Sequence, residues 1–202
     1  MNQREQLGMG DHVAYFFRSN AERLAFVIPY IAAGLRRNER CLYIADNNSA
    51  PAIYRELDRA GVDTDGAHKR GALSVLTKRE AYLRHGVFEP EKMVSDLNNE
   101  VKHSLEHGFT GLRASGEMSW ALDLPSALAR LIEYEERLQA TWPAEFEGVC
   151  QYDEARFSKE LIERMKQIHQ VYVCEGRIIR QGATPTRPTK RVEAMAELRR
   201  TR

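Results

Sequence analysis

Short apolar runs alternate along this chain with longer stretches in which apolar residues recur every three or four positions. Residues 12–17 (HVAYFF) read as a buried strand and residues 41–45 (CLYIA) as a second. Residues 73–76, 109–114 and 149–152 continue the series, and residues 171–174 with 177–179 form a closing hairpin around Glu175-Gly176. Between them, Leu24, Val27, Ile28, Ile31 and Leu35 keep helical spacing, after Ser19 and Glu22 in the S-x-x-E pattern that opens a helix. Pro51 stands where a first-turn proline would, in a helix running to Gly61. A helix opened by Pro90 carries Val94, Leu97, Val101 and Leu105 and stops at Gly108. Residues 115–124 read as a loop, followed by a helix with Leu128, Leu131, Ile132 and Leu138 and another with Phe157, Leu161, Ile162, Met165 and Ile168. Strands alternating with helices imply crossover connections, hence a mostly parallel sheet of five to seven strands with helices on both faces. The expected fold is a three-layer α/β sandwich ending near residue 182.

Composition agrees with a folded domain. Of 202 residues, 43% are hydrophobic and 29% charged, with 13 glycines and 7 prolines, which argues against disorder. A chain of this size buries roughly 70% of its unfolded surface and needs no disulfide or metal staple. The three cysteines, Cys41, Cys150 and Cys174, lie in apolar runs without zinc-type spacing, as expected of small buried groups in a reducing cytoplasm. Residues 1–11 are polar, and the longest apolar stretch, residues 24–35, is short and broken by Pro29 and Gly34. Neither a secretory signal nor a membrane span is expected, and the chain is placed in the cytoplasm.

The net charge of +1 conceals a division. Residues 183–202 carry six basic and two acidic side chains, so residues 1–182 are left with about −3. The body therefore lacks the basic footprint of a nucleic-acid-binding domain. Residues 184–191 read as a proline-interrupted linker, and residues 192–200, with Ala194, Met195 and Leu198, as a short charged helix.

In open α/β sheets, ligands bind beyond the carboxyl ends of the strands. Those positions hold Arg18-Ser19-Asn20, Asp46-Asn47-Asn48, the run from Ser115 to Trp120, and Tyr152-Asp153. A phosphate-binding loop would need G-x-x-x-x-G-K-[ST] after the first strand, so that backbone N–H groups and the lysine cradle the phosphates. Here that turn has no glycine, and no Gly-Lys pair occurs anywhere, so ordinary ATP hydrolysis is not expected. No G-x-S-x-G elbow is present, and Cys41 and Cys150 in apolar strands would be unreactive thiols. The chain reads as a non-enzyme without a cofactor. A metal site from His12, Asp46, Glu117 and Asp153 is disfavoured because His12 opens its strand while the other three close theirs. Glu117 reads either as a group for polar ligand recognition or metal-water chemistry, or as a helix cap or the buried ion-pair partner of Arg113 or Arg156. The expected ligand-lining residues are Phe17, Asp46, Glu117, Trp120, Tyr152 and Asp153. His12, Arg113, Ser115 and Met118 are secondary candidates, equally readable as structural.

Five segments in order carry a family resemblance: GDHVAYFF (residues 10–17), ERCLYIAD (39–46), GLRASGEMSWAL (111–122), LIEYE (131–135) and CQYD-x-x-RF (150–157). Together they resemble the MEDS domain, the methanogen/methylotroph DcmR sensory domain. The resemblance implies a non-hydrolysing relative of RecA/KaiC-like P-loop ATPases that serves as the sensory part of transcription regulators and histidine kinases. It also implies a small-molecule ligand such as a hydrocarbon derivative, a regulatory output domain or protein partner, and a homodimer, since such modules commonly work as dimers. Two other readings stand beside it: a residual nucleotide-binding or enzymatic RecA-like domain, and a protein-interaction module without a ligand.

Overall fold

The computed structural model describes residues 7–46, 50–124 and 127–181. The expected tail over residues 183–202, and Asn47 and Asn48 of the second strand end, lie outside them.

Seven strands form one sheet: β1 (His12–Phe17), β2 (Arg40–Ala45), β3 (Leu73–Thr77), β4 (Leu112–Glu117), β5 (Phe146–Asp153), β6 (Val171–Cys174) and β7 (Arg177–Arg180). Their order is β3-β2-β4-β5-β1-β6-β7, parallel throughout except for the β6–β7 hairpin. That hairpin turns at Glu175 and Gly176, both with positive φ as a two-residue turn requires. Helices α1 (Asn20–Arg36), α2 (Ala50–Arg59) and α3 (Thr64–Lys69) cover one face, and α4 (Pro90–Glu106), α5 (Ala127–Ala140) and α6 (Lys159–Ile168) the other. This is the expected three-layer α/β sandwich.

Strand alternation sorts the core. In β1, Val13, Tyr15 and Phe17 face α1, whereas Ala14 and Phe16 face the α4–α6 layer. Helix α1 begins as its pattern predicts: Ser19 Oγ accepts from the Glu22 N–H at 3.1 Å, and Glu22 reaches back to the Arg18 N–H at 2.9 Å. Glu22 thus satisfies a backbone donor at a helix end that has no intrahelical acceptor.

Three expectations are corrected. The fourth strand is not residues 109–114 but Leu112–Glu117, so Ser115, Gly116 and Glu117 lie inside the sheet rather than after it. Pairing with β2 through Gly116 and with β5 through Glu117 carries the ladder along those polar residues. The fifth strand runs from Phe146, and Asp153 is its last residue. On α4 the buried row is Met93, Leu97, Val101 and Ser104, while Leu105 is exposed, because the helix is rotated from the face that Val94 and Leu105 would give. The short α3 escapes periodicity altogether; its signal is Asp63, which accepts from the Gly66 N–H at 2.9 Å. Among the described residues, no helix is long and apolar enough to cross a membrane.

Candidate functional site

At the turn after β1, the place of a phosphate loop is filled by the chain's own ion pair. Arg23, in the first turn of α1 and buried, meets Glu117 Oε2 at 2.5 Å. The Tyr43 hydroxyl, from the neighbouring β2, donates to Glu117 Oε1 at 2.6 Å. Burial pushes that hydroxyl's pKa up, and the adjacent carboxylate adds to it, so Tyr43 stays a donor. Arg23 also donates to Asn20 Oδ1 and stacks over Phe17, with 5.5 Å to the ring centroid. Glu117 is therefore partnered by Arg23 rather than by the expected Arg113 or Arg156: Arg113 lies four residues, about 13 Å, back along the same face of β4 and is held by Glu39 and Glu147, and Arg156 pairs with Asp123.

A second polar chain crosses the rim. Lys78 lies 2.6 Å from Asp46 and 3.3 Å from Asp123, and Arg156 reaches Asp123 at 3.3 Å. The other Asp46 oxygen, Oδ2, is buried without a hydrogen-bond partner among the described residues. Asp153 accepts from the Ala155 N–H at 2.9 Å and so caps the turn before α6, whose own cap is Ser158.

The residues expected to line one pocket fall on opposite faces of the sheet. Phe17 belongs to the core under α1. Met118, Trp120 and Tyr152 belong to the core under α4, α5 and α6. Trp120 is fully buried, stacked on Tyr82 at 4.8 Å and tilted against Phe88 at 4.5 Å. Ser115 accepts from Gln151 Nε2 at 2.9 Å inside the sheet. Arg113 is buried with two acids: it donates to Glu39, and to both Glu147 oxygens at 2.8 Å.

An open cavity of about 230 Å³ lies elsewhere, between β2, β3 and α4. Its floor is Leu42, Ile44, Leu76, Met93 and Leu97. Its rim is charged: Arg40, Glu80, Arg84, Asp96 and Glu100, with Arg40 paired to Glu100. Sequence periodicity missed this groove because it requires knowing that β3 is the sheet edge and that α4 leaves it partly uncovered.

A third polar group is fully internal. His12 at the start of β1, Glu135 in α5, Cys150 in β5 and His169 just after α6 converge under the α5–α6 layer, one donor atom of each lying within 4.8 Å of every other. Tyr152 points here rather than to the rim, donating to Glu135 Oε1 at 2.6 Å. Glu135 is the residue that sequence reasoning passed over. It stands in the LIEYE segment beside apolar neighbours, and a glutamate in a helix is read as solvated unless its face is known. Burial alone would raise its carboxyl pKa, but the adjacent His12 and His169 imidazoles bring it below the usual range. His12 is held down to about 4, by burial first and then by His169.

Comparison with known proteins agrees with this architecture. The chain is 26% identical over 167 residues to the transcriptional repressor DcmR of Methylorubrum extorquens, a match covering 80% of this chain and 59% of the repressor. It thus spans under two thirds of that relative's length. Among solved structures, a KaiC-like protein of Pyrococcus horikoshii OT3 superposes with a TM-score of 0.61 at 16% identity, over 82% of this chain and 71% of that one. An uncharacterized protein from Pyrococcus horikoshii, solved with an unknown peptide, gives 0.63 at 13% identity over 85% and 82%. These likenesses establish a RecA-like α/β fold. Residues 11–170 match the MEthanogen/methylotroph, DcmR Sensory domain, and the chain belongs to that family, MEDS.

Proposed function

We propose that this chain senses a small, weakly polar organic molecule and relays its occupancy to a regulatory output, a transcription regulator or kinase, without turning the molecule over. The observation that carries this reading is the groove of about 230 Å³ between β2, β3 and α4. Its apolar floor favours a hydrocarbon-like body, its charged rim can orient a single polar substituent, and its volume lies below the roughly 300–1,000 Å³ of drug-sized sites. Asp46 and Trp120 serve the groove's carboxyl end as supports, Asp46 by anchoring Lys78 and Trp120 by stacking on Tyr82, which follows the lining residue Ala81. The ion pair of Arg23 and Glu117 argues against a bound nucleotide, since a triphosphate would have to displace a buried, satisfied carboxylate.

A sensor of this kind works by preferring one of two conformations when occupied, so its product is a population shift. The test is thermal unfolding of the wild-type chain and of Ala81→Trp, which fills the groove, with a panel of chlorinated and hydroxylated one- to four-carbon compounds. A binder at about one hundred times its Kd stabilises the wild type by about 2.7 kcal/mol and leaves Ala81→Trp unmoved. Equal shifts in both chains remove the groove as the site. Silence across the panel with stabilisation by ATP and magnesium overturns the sensory reading in favour of nucleotide binding.

A further inference from the structure

We propose that His12, Glu135, Cys150 and His169 form a closed, four-ligand site for a divalent metal ion of the zinc class. Four separations between the converging atoms have the size of a coordination tetrahedron's edges. His12 Nε2 and His169 Nε2 lie 3.2 and 3.4 Å from Glu135 Oε2. Cys150 Sγ lies 3.6 Å from His12 Nε2 and 3.6 Å from Glu135 Oε2. Bonds of about 2.0–2.3 Å to nitrogen, oxygen and sulfur in tetrahedral geometry place ligand atoms about 3.3–3.8 Å apart.

Proton bookkeeping points the same way. His169 Nδ1 lies 2.9 Å from the Met165 carbonyl oxygen, which can only accept, so Nδ1 carries the proton and a neutral ring presents a bare lone pair at Nε2. That Nε2 is fully buried, has no hydrogen-bond partner among the described residues, and faces a carboxylate oxygen. With that proton on Nδ1, two acceptors face each other, an arrangement that a cation between them resolves. His12 is held in the same manner, its Nδ1 3.0 Å from Gln139 Oε1, one helical turn after Glu135. Rings fixed through the nitrogen that does not bind, and a carboxylate fixed by Tyr152 through its second oxygen, are the usual outer shell of a metal centre. Trp142 stacks on the His12 ring at 4.2 Å and covers it.

Charge closes the account. A divalent ion with one thiolate, one carboxylate and two neutral imidazoles is neutral overall, which a site this buried requires. Imidazole and thiolate together select zinc-class ions over calcium or magnesium. On binding, the Cys150 S–H bond breaks, a sulfur–metal bond forms, and the proton leaves to water; no electron is transferred. With all four positions taken by protein, the ion ties β1 and β5 to α5 and α6 and does not activate water.

The test uses the full chain, purified without a metal-binding tag and equilibrated with zinc or cobalt(II). The expected result is about one metal per chain, with a sulfur-to-cobalt charge-transfer band that Cys150→Ser abolishes. Gln139→Leu keeps all four donors and weakens metal affinity about 10–100-fold, which decides the matter should Cys150→Ser fail to fold. A cooperatively folded wild-type chain that takes up no stoichiometric metal, a charge-transfer band unchanged in Cys150→Ser, or Gln139→Leu binding as tightly as wild type would overturn the proposal.

Discussion

Arg113 is one cation held between two acids, and that imbalance sets a pH dependence. Burial pushes the Glu147 carboxyl up to about 7, against the pull of Arg113 and with a push from Glu39. Between the ordinary value of 4.5 and about 7, the native state therefore holds a proton that the unfolded chain releases. The stability contributed by this group is full below about 4.5 and is lost as pH rises through about 7. Glu147→Gln, which is close in shape and carries no titrating proton, should flatten that part of the profile; the readout is the wild-type minus variant difference in denaturant unfolding between pH 5 and 8, where shared groups cancel. Identical slopes would place the proton elsewhere. Arg113→Met, which strands two buried carboxylates, should cost about 3–5 kcal/mol. At this scale the sequence showed the right atoms with the wrong partners. Arg113 and Glu117 do share the α1 face of β4, but residues four apart in a strand stand about 13 Å from each other, too far to pair, which shows only once the strand is known to run to Glu117.

Elements were legible where pattern and punctuation agree. β1 has the bounds its apolar run predicts, and α1 starts at its capping box. β4 was misplaced because a strand paired on both sides tolerates Ser115, Gly116 and Glu117 so long as each finds a partner or space, which local hydropathy does not record. The same contact logic fixes Gly34 in the last turn of α1. A Cβ there would meet Arg113 Cδ at 2.5 Å and Cys41 Sγ at 2.8 Å. Alanine improves helix propensity by about 1 kcal/mol. Overpacking costs about 1–3 kcal/mol, and Arg113 cannot yield because Glu39 and Glu147 hold its guanidinium. The clash should win, and Gly34→Ala should lower the melting temperature by a few degrees. An unchanged or raised value would mean that α1 can lift from the sheet without disturbing the Arg113 cluster.

For the molecule as a whole, the question is where the folded unit ends. The family match stops at residue 170, while the charge division falls at about residue 183. The strands after residue 170 argue for the later limit. β6 continues it beside β1 by pairing Val171, Tyr172 and Val173 with Val13, Ala14 and Tyr15. β7 then covers β6, fastened by two Arg180–Asp11 hydrogen bonds of 2.8 and 2.7 Å and by the Gln181 N–H donating to the Gln170 carbonyl at 2.8 Å. A chain ended at residue 182 loses none of these contacts and should melt within about 2 °C of the full chain, since a change under 1 kcal/mol moves a protein of this size by only 2–4 °C. A chain ended at residue 170 loses Val171 and Val173 from the core, about 1.5–3 kcal/mol each, and bares the edge of β1 as a template for pairing between molecules. It should melt several degrees lower and aggregate. If it instead stays monomeric with an unchanged melting temperature, the hairpin is an addition to the sensory unit and not its closing edge.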